Sequence, residues 1–271
     1  MGLRSIIERK IRQSRLSPLD KELERISKVP RFTIGTAHVL DHPFKFHDSD
    51  SFIDTYREIF VHEIYKFKSV AGKNIIIDCG ANMGLSAIYF AKTYPNHTIY
   101  AFEPDQKIFA ILKQNVEAFG FTNIKLFENA VWDKEEVLSF YTDSGMGGRV
   151  NEAYAEQVPT KINTVRLYDY LSEHVDFLKI DIEGAEEVVL RDCESKLPLI
   201  GSFFFEYHND VNKSQTLHEL LNLVKDAGFH YYIKESGVRK SPFTDTKLIC
   251  EKFDMAINIF CYKNNLEGFL T

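Results

Sequence analysis

Residues 74–90 constrain the fold more than any other stretch: Asn-Ile-Ile-Ile-Asp-Cys-Gly-Ala-Asn-Met-Gly-Leu-Ser-Ala-Ile-Tyr-Phe. Ile75, Ile76 and Ile77 are consecutive, β-branched and apolar toward both faces, as a strand inside a parallel sheet requires. Asp78 ends the apolar run, and Gly80 and Gly84 allow a tight turn with close backbone approach to a ligand. From Leu85 the apolar residues Leu85, Ile88, Tyr89 and Phe90 follow helical spacing. A strand, a glycine turn and a helix in that order form the ligand corner of a doubly wound α/β fold, where ligands bind outside the carboxyl ends of the strands.

The chain downstream repeats this alternation. Residues 98–102 read as a second strand ending in Glu103-Pro104, with Asp105 as cap of a helix whose core stripe is Ile108, Phe109, Leu112 and Val116. Residues 124–127 form a third strand, and the following loop, Glu128-Asn129-Ala130-Val131-Trp132, is placed to border the base of a bound nucleoside. Residues 137–141 and 162–167 alternate like two extra strands. Between them the polar segment 143–159 is long enough to suggest a lid on the substrate side. Residues 176–180 form a fourth strand, which runs into Asp181-Ile182-Glu183-Gly184-Ala185-Glu186. Residues 203–207 form a fifth, with Glu206 and His208 at its end. A helix over 214–227, closed by Gly228, precedes two last strands at 230–234 and 256–262. The division expected is an accessory helical and extended segment over residues 1–71 and a catalytic domain over 72–271.

Charge is unevenly spread. The first 31 residues carry nine Lys or Arg and four Asp or Glu, whereas the whole chain has net charge −6. An acidic body argues against general nucleic-acid binding, which needs a basic surface. Leu3, Ile6, Ile7 and Ile11 recur at helical spacing beside Arg4, Arg9, Lys10 and Arg12, a basic amphipathic helix suited to packing on the domain, to peripheral membrane contact or to oligomer formation. Ser17-Pro18 should break it before a second helix at 20–27. Residues 32–46 read as extended, and 49–65 as a helix capped by Asp50 or Ser51, bringing Glu58, Ile59, Phe60 and Tyr65 toward the first strand. Four scattered cysteines without a CxxC pair, and no apolar run of membrane length, set the expectation of a cytoplasmic protein with reduced thiols.

Asp78, Gly80, Glu103, Asn129, Asp181, Glu206 and His208 all fall at carboxyl ends of expected parallel strands. The turn Gly80-Ala81-Asn82-Met83-Gly84 misses the G-x-G-x-x-G of nicotinamide dinucleotide sites, and an acid just before it would repel a pyrophosphate. The same acid suits a ligand with a cationic amino group, no phosphate and a ribose. S-adenosylmethionine has these features, and Glu103 is placed to accept hydrogen bonds from ribose hydroxyls.

Five segments, Ile-Ile-Asp-Cys-Gly-Ala-Asn-Met-Gly, Ala-Phe-Glu-Pro-Asp, Asn-Ala-Val-Trp, Phe-Leu-Lys-Ile-Asp-Ile-Glu-Gly-Ala-Glu and Phe-Glu-Tyr-His, resemble the FkbM-type S-adenosylmethionine-dependent methyltransferases. The resemblance covers roughly residues 52–262. It implies a seven-stranded, mostly parallel Rossmann-like sheet of class I type with the last strand antiparallel, and O-methylation of a saccharide, glycan or natural-product hydroxyl. By position, Asp78 would hold the methionine end, Gly80, Ala81, Asn82 and Gly84 the backbone cradle, Glu103 with Pro104 the ribose, and Asn129 and Ala130 the adenine. Asp181 would face both cofactor and acceptor. His208 is the first candidate for the base, because an imidazole titrates near neutrality. Glu206 would orient it or bind substrate, and Glu183 stands between a substrate role and a helix-terminal charge. The set Asp181, Glu183, Glu206 and His208 also permits a hard divalent cation, although no spacing demands a metal. Two other functions fit the fold: a nicotinamide-dependent oxidoreductase, disfavoured by the turn, and a non-catalytic interaction module, disfavoured by the intact acids and glycines.

Overall fold

The structure, a computed structural model, describes residues 16–142, 148–150, 159–237, 241, 243–245 and 252–263. The basic helix expected near the amino terminus, most of loop 143–159 and Cys250 lie outside the described residues. Helix α1 (Pro18–Ile26) begins where a break was expected: the Ser17 side chain accepts from Asp20 N, and Pro18 occupies the first turn, where its missing N–H costs nothing. Strands β1 (Gly35–Ala37) and β2 (Phe44–Phe46) form an antiparallel pair. Helix α2 (Ser49–Tyr56) passes into a π-helical turn over Arg57–Val61. Its cap is Asp48, neither Asp50 nor Ser51. The buried Asp48 carboxylate accepts from Ser51 N at 3.2 Å and from Arg31 Nη2 at 2.8 Å.

The alternating core then runs β3 (Ile75–Cys79), α3 (Leu85–Thr93), β4 (Thr98–Phe102), α4 (Gln106–Phe119) and β5 (Ile124–Phe127). A small insertion follows, β6 (Ala130–Trp132), β7 (Val137–Thr142), β8 (Gly148–Val150) and β9 (Thr160–Arg166), which makes a second sheet of four strands. The chain returns through β10 (Val175–Ile180), α5 (Glu186–Asp192), β11 (Ser202–Asp210), α6 (Leu217–Asp226), β12 (His230–Glu235) and β13 (Phe253–Tyr262). The main sheet has the order β12-β13-β11-β10-β3-β4-β5. Strand β13 is antiparallel to both its neighbours, and the pairings among β11, β10, β3, β4 and β5 are parallel. This is the seven-stranded arrangement expected, and its order reverses between β3 and β10, where such sheets bind ligands.

Each face of the sheet carries its own apolar cluster. On one face the accessory segment supplies the cover: Phe44, Phe46 and Phe52 are fully buried, and rings continue from Phe52 through Tyr56 and Phe60 to Tyr89 of α3. Each such buried ring is worth about 1.5–3 kcal/mol, so residues 18–61 complete the core. On the other face Leu190 of α5 and Leu220 of α6 pack with Ile77, Leu178 and Phe203.

Strand β11 is longer than its apolar run suggests. It pairs with β10 only as far as Phe205, opposite Ile180, yet its ladder with β13 continues to Asp210. Glu206 and His208 therefore lie inside a strand that projects past the edge of the parallel sheet, not at a strand end. No helix among the described residues is long and apolar enough to cross a membrane.

Candidate active site

A cavity of about 780 Å³ opens at the carboxyl edge of β3, β4 and β10, within the size range of small-molecule sites. Its wall on the β3 side is the glycine turn. Gly80 N and Ala81 N donate to Phe102 O at 3.0 and 2.9 Å, stitching the turn to the end of β4. Gly80 has φ +81, and a Cβ there would lie 1.9 Å from the Asp181 carbonyl oxygen, so no other residue fits. Glu103 faces the cavity with both oxygens engaged: Oε2 accepts from Asn82 N and Oε1 from Asp105 N, each at 2.9 Å. Each oxygen retains a further lone pair. Burial pushes the Glu103 pKa up to about 7, against the pull of those two N–H groups. Pro104, Asn129 and Ala130 border the same space.

Two residues expected at the ligand do not line the cavity. Asp78 is fully buried and outside the cavity lining. Its Oδ2 accepts from Ser86 Oγ at 2.6 Å, and its Oδ1 lies 3.4 Å from Lys179 Nζ. The register that sets Lys179 beside Asp78 decides this: the acid's charge is spent on a lysine. Burial works against the Lys179 charge, but Asp181 and Asp78 outweigh it and raise its pKa. The ammonium donates to Gly80 O at 2.9 Å and sits 3.5 Å from Asp181 Oδ2. Asp78 thus acts on the turn from beneath, through Lys179. Gly84 also stays outside the lining. Its φ is +100, and a Cβ would meet Leu112 Cδ1 at 2.7 Å, so this glycine serves the packing of α3 against α4.

The opposite half of the cavity is acidic. Asp181 follows β10, and Glu183 takes a left-handed φ of +56. Glu186 accepts from Ile182 N at 3.1 Å and Gly184 N at 2.8 Å, which fixes the loop that presents both acids. His208 Nε2 lies 3.5 Å from Glu206 Oε2 and 3.6 Å from Glu183 Oε2, and its Nδ1 lies 3.4 Å from Glu186 Oε1. Burial opposes a charge on His208, but Glu183, Glu186 and Glu206 together outweigh it and raise its pKa well above the usual value. This surrounding favours the charged imidazole, whose two nitrogens both donate, over the neutral form that a base needs. Glu206 is pushed up to about 8, first by burial and then by Asp181, with His208 pulling the other way. Among the described residues no group of three or more His, Cys, Asp or Glu is arranged to hold a metal ion.

Of the accessory residues expected near the site, Glu58, Ile59 and Tyr65 line the cavity, and Phe60 is turned into the core. Arg31, Phe32, Lys234, Ser236 and Asn258 also line it and carry no motif. Asn258 left one sign, a lone polar residue inside an apolar strand that proves buried. Lys234 Nζ reaches within 3.7 Å of Glu58 Oε1, bridging β12 and the π-helical turn.

A family model described as the Methyltransferase FkbM domain matches residues 78–231, more than half of the chain. The chain belongs to this family. Methyltransferase 1 of Beauveria bassiana is 28% identical over 169 residues, 52% of this chain and 67% of that protein. The 31-O-demethyl-FK506 methyltransferase FkbM of Streptomyces tacrolimicus is 28% identical over 214 residues, 64% of this chain and 80% of its own length. The 2-O-methyltransferase NoeI of Sinorhizobium fredii is 25% identical over 154 residues, 49% of this chain and 63% of its own length. This FkbM-family member is an S-adenosylmethionine-dependent methyltransferase, and the chemistry of its site fits that donor: a buried, preoriented carboxyl, a glycine-tight turn, and acids beyond them.

Proposed function

We propose that this methyltransferase O-methylates a hydroxyl of a saccharide or natural-product acceptor. One observation carries the reading: Asp181, Glu183, Glu206 and His208 share a single cavity with Glu103. The family donor, when bound, supplies an electrophilic methyl group on a sulfonium. Glu103 and the backbone of Ala81 and Asn82 would hold its ribose, and Asn129 and Ala130 would border its base. Residues 72–271 would then be the methyltransferase domain and residues 1–71 its accessory segment.

Glu206 takes the hydroxyl proton. A carboxyl with a pKa of about 8 is near the operating range, where general bases work best. The His208 cation stabilises the ionised form of Glu206. Asp181 and Glu183 accept hydrogen bonds from neighbouring hydroxyls, as a polyol requires, and so align the reacting oxygen. The names of two relatives, a 2-O-methyltransferase and a 31-O-demethyl-FK506 methyltransferase, support oxygen as the methyl acceptor.

The test is transfer of a labelled methyl from S-adenosylmethionine to a panel of neutral oligosaccharides and hydroxylated polyketides. Formation of an alkali-stable methyl ether is expected. Glu206→Gln should lower the rate about 10²-fold or more with cofactor affinity unchanged. Label found only on amines or carboxyl groups, or a parental rate in Glu206→Gln, refutes the proposal.

A further inference from the structure

The accessory segment reaches the glycine turn at two points, both upstream of the stretch matched by the family model. Asn115 of α4 is buried; its Oδ1 accepts from Lys45 N at 2.7 Å, and its Nδ2 donates to Lys45 O and Met83 O, each at 2.8 Å. Strand β2 and the turn are thus held by one amide. Just beyond β2, the buried His47 places Nε2 2.8 Å from Asn82 Oδ1. That oxygen also accepts from Met83 N at 2.7 Å. The backbone donor identifies the atom as oxygen, so His47 Nε2 carries a hydrogen and donates it.

We infer that His47 is a positioning residue for cofactor binding, acting through Asn82 on Glu103. Asn82 has a left-handed φ of +48, a conformation that asparagine tolerates and that persists at ligand sites when the surroundings hold it there. The same residue donates its N–H to Glu103 Oε2. The chain of contacts runs from the His47 ring to the Asn82 side chain, and from the Asn82 backbone to the carboxyl that faces the cavity. A pure packing role does not explain the imidazole. His47 Nδ1 is buried with no hydrogen-bond partner, a cost that a phenyl ring would avoid. What the position gains from histidine is the donor on Nε2.

This inference rests on the S-adenosylmethionine reading, and its test reads binding, not turnover. Calorimetry with S-adenosylmethionine compares the parent, His47→Phe, which fills the space without a donor, and His47→Gln, which restores an N–H near the Nε2 position. His47→Phe should weaken binding about five-fold, the worth of one hydrogen bond, and His47→Gln should stay within about two-fold of the parent. Parental affinity in His47→Phe, or equal losses in both variants, overturns the inference. Should His47→Phe not melt cooperatively, Asn82→Gly removes the acceptor while suiting the positive φ. It should lose affinity by a similar factor, and parental affinity there overturns the inference as well. A folded parent that binds no S-adenosylmethionine refutes the cofactor reading and the inference with it, whereas tight binding that no variant alters refutes the inference alone.

Discussion

Replacing Lys179 with methionine keeps most of the side chain's volume and removes its charge. Lys179 is almost fully buried, donates to Gly80 O at 2.9 Å and Cys79 O at 3.3 Å, and stands 3.4 Å from Asp78 Oδ1 and 3.5 Å from Asp181 Oδ2. Asp78 is fully buried, and its Oδ1 has no hydrogen bond, so the ammonium is what offsets that carboxylate. Removing one partner of a buried pair typically costs about 3–5 kcal/mol. For a domain of this size each kcal/mol moves Tm by about 2–4 °C. The melting temperature of Lys179→Met should therefore fall by about 6–20 °C. Asp78→Asn removes the charge left behind, so the double variant should be less destabilised than the sum of the singles by at least about 0.5 kcal/mol. Thermal melts and urea titrations of the four proteins measure both quantities. A loss below about 1 kcal/mol in Lys179→Met, or strict additivity, refutes the account of Asp78 and Lys179 as a mutually dependent pair.

Glu103 with a pKa of about 7 predicts a cofactor affinity that depends on pH. In the proposed ribose-binding role its ionised form is the one that would accept two hydroxyls, and the ionised fraction rises from about one-eleventh at pH 6 to about ten-elevenths at pH 8. The dissociation constant for S-adenosylmethionine should tighten about ten-fold over that interval, and calorimetry of Glu103→Gln should find a weak and flat profile. Gly80→Ala would drive a Cβ into the Asp181 carbonyl at φ +81. It should cost about 3 kcal/mol or more in a urea titration and abolish cofactor binding; a variant of parental stability would show that the close approach is dispensable.

The edge of the sheet is legible because mostly apolar runs end abruptly in acidic residues, at Asp78, Glu103 and Asp181. The roles of those residues were less so. Whether Asp78 meets a ligand or a lysine depends on the register between β3 and β10, which no local pattern encodes. The surroundings of His208 were hidden for a similar reason: Glu183 and Glu186 lie far from it in sequence, and only the path of the loop before α5 sets them around the ring. Strand β11 reads shorter than it is because its apolar run stops before its hydrogen-bonded ladder does. The contributions of Arg31, Phe32 and His47 carried no signal, since each is an ordinary residue in an irregular segment whose importance arises from where α1, β1 and β2 dock.

The contact between Gly80 and the Asp181 carbonyl has a bearing on how such a site can be altered. The glycine turn and the loop that carries Asp181 and Glu183 touch backbone to backbone, with no side chain between them to absorb a shift. Remodelling the 181–184 loop would be transmitted directly to the glycine turn. A designer seeking altered selectivity has better handles in the side chains of Phe32, Ser236 and Asn258, which border the same cavity from segments that are not part of that seam.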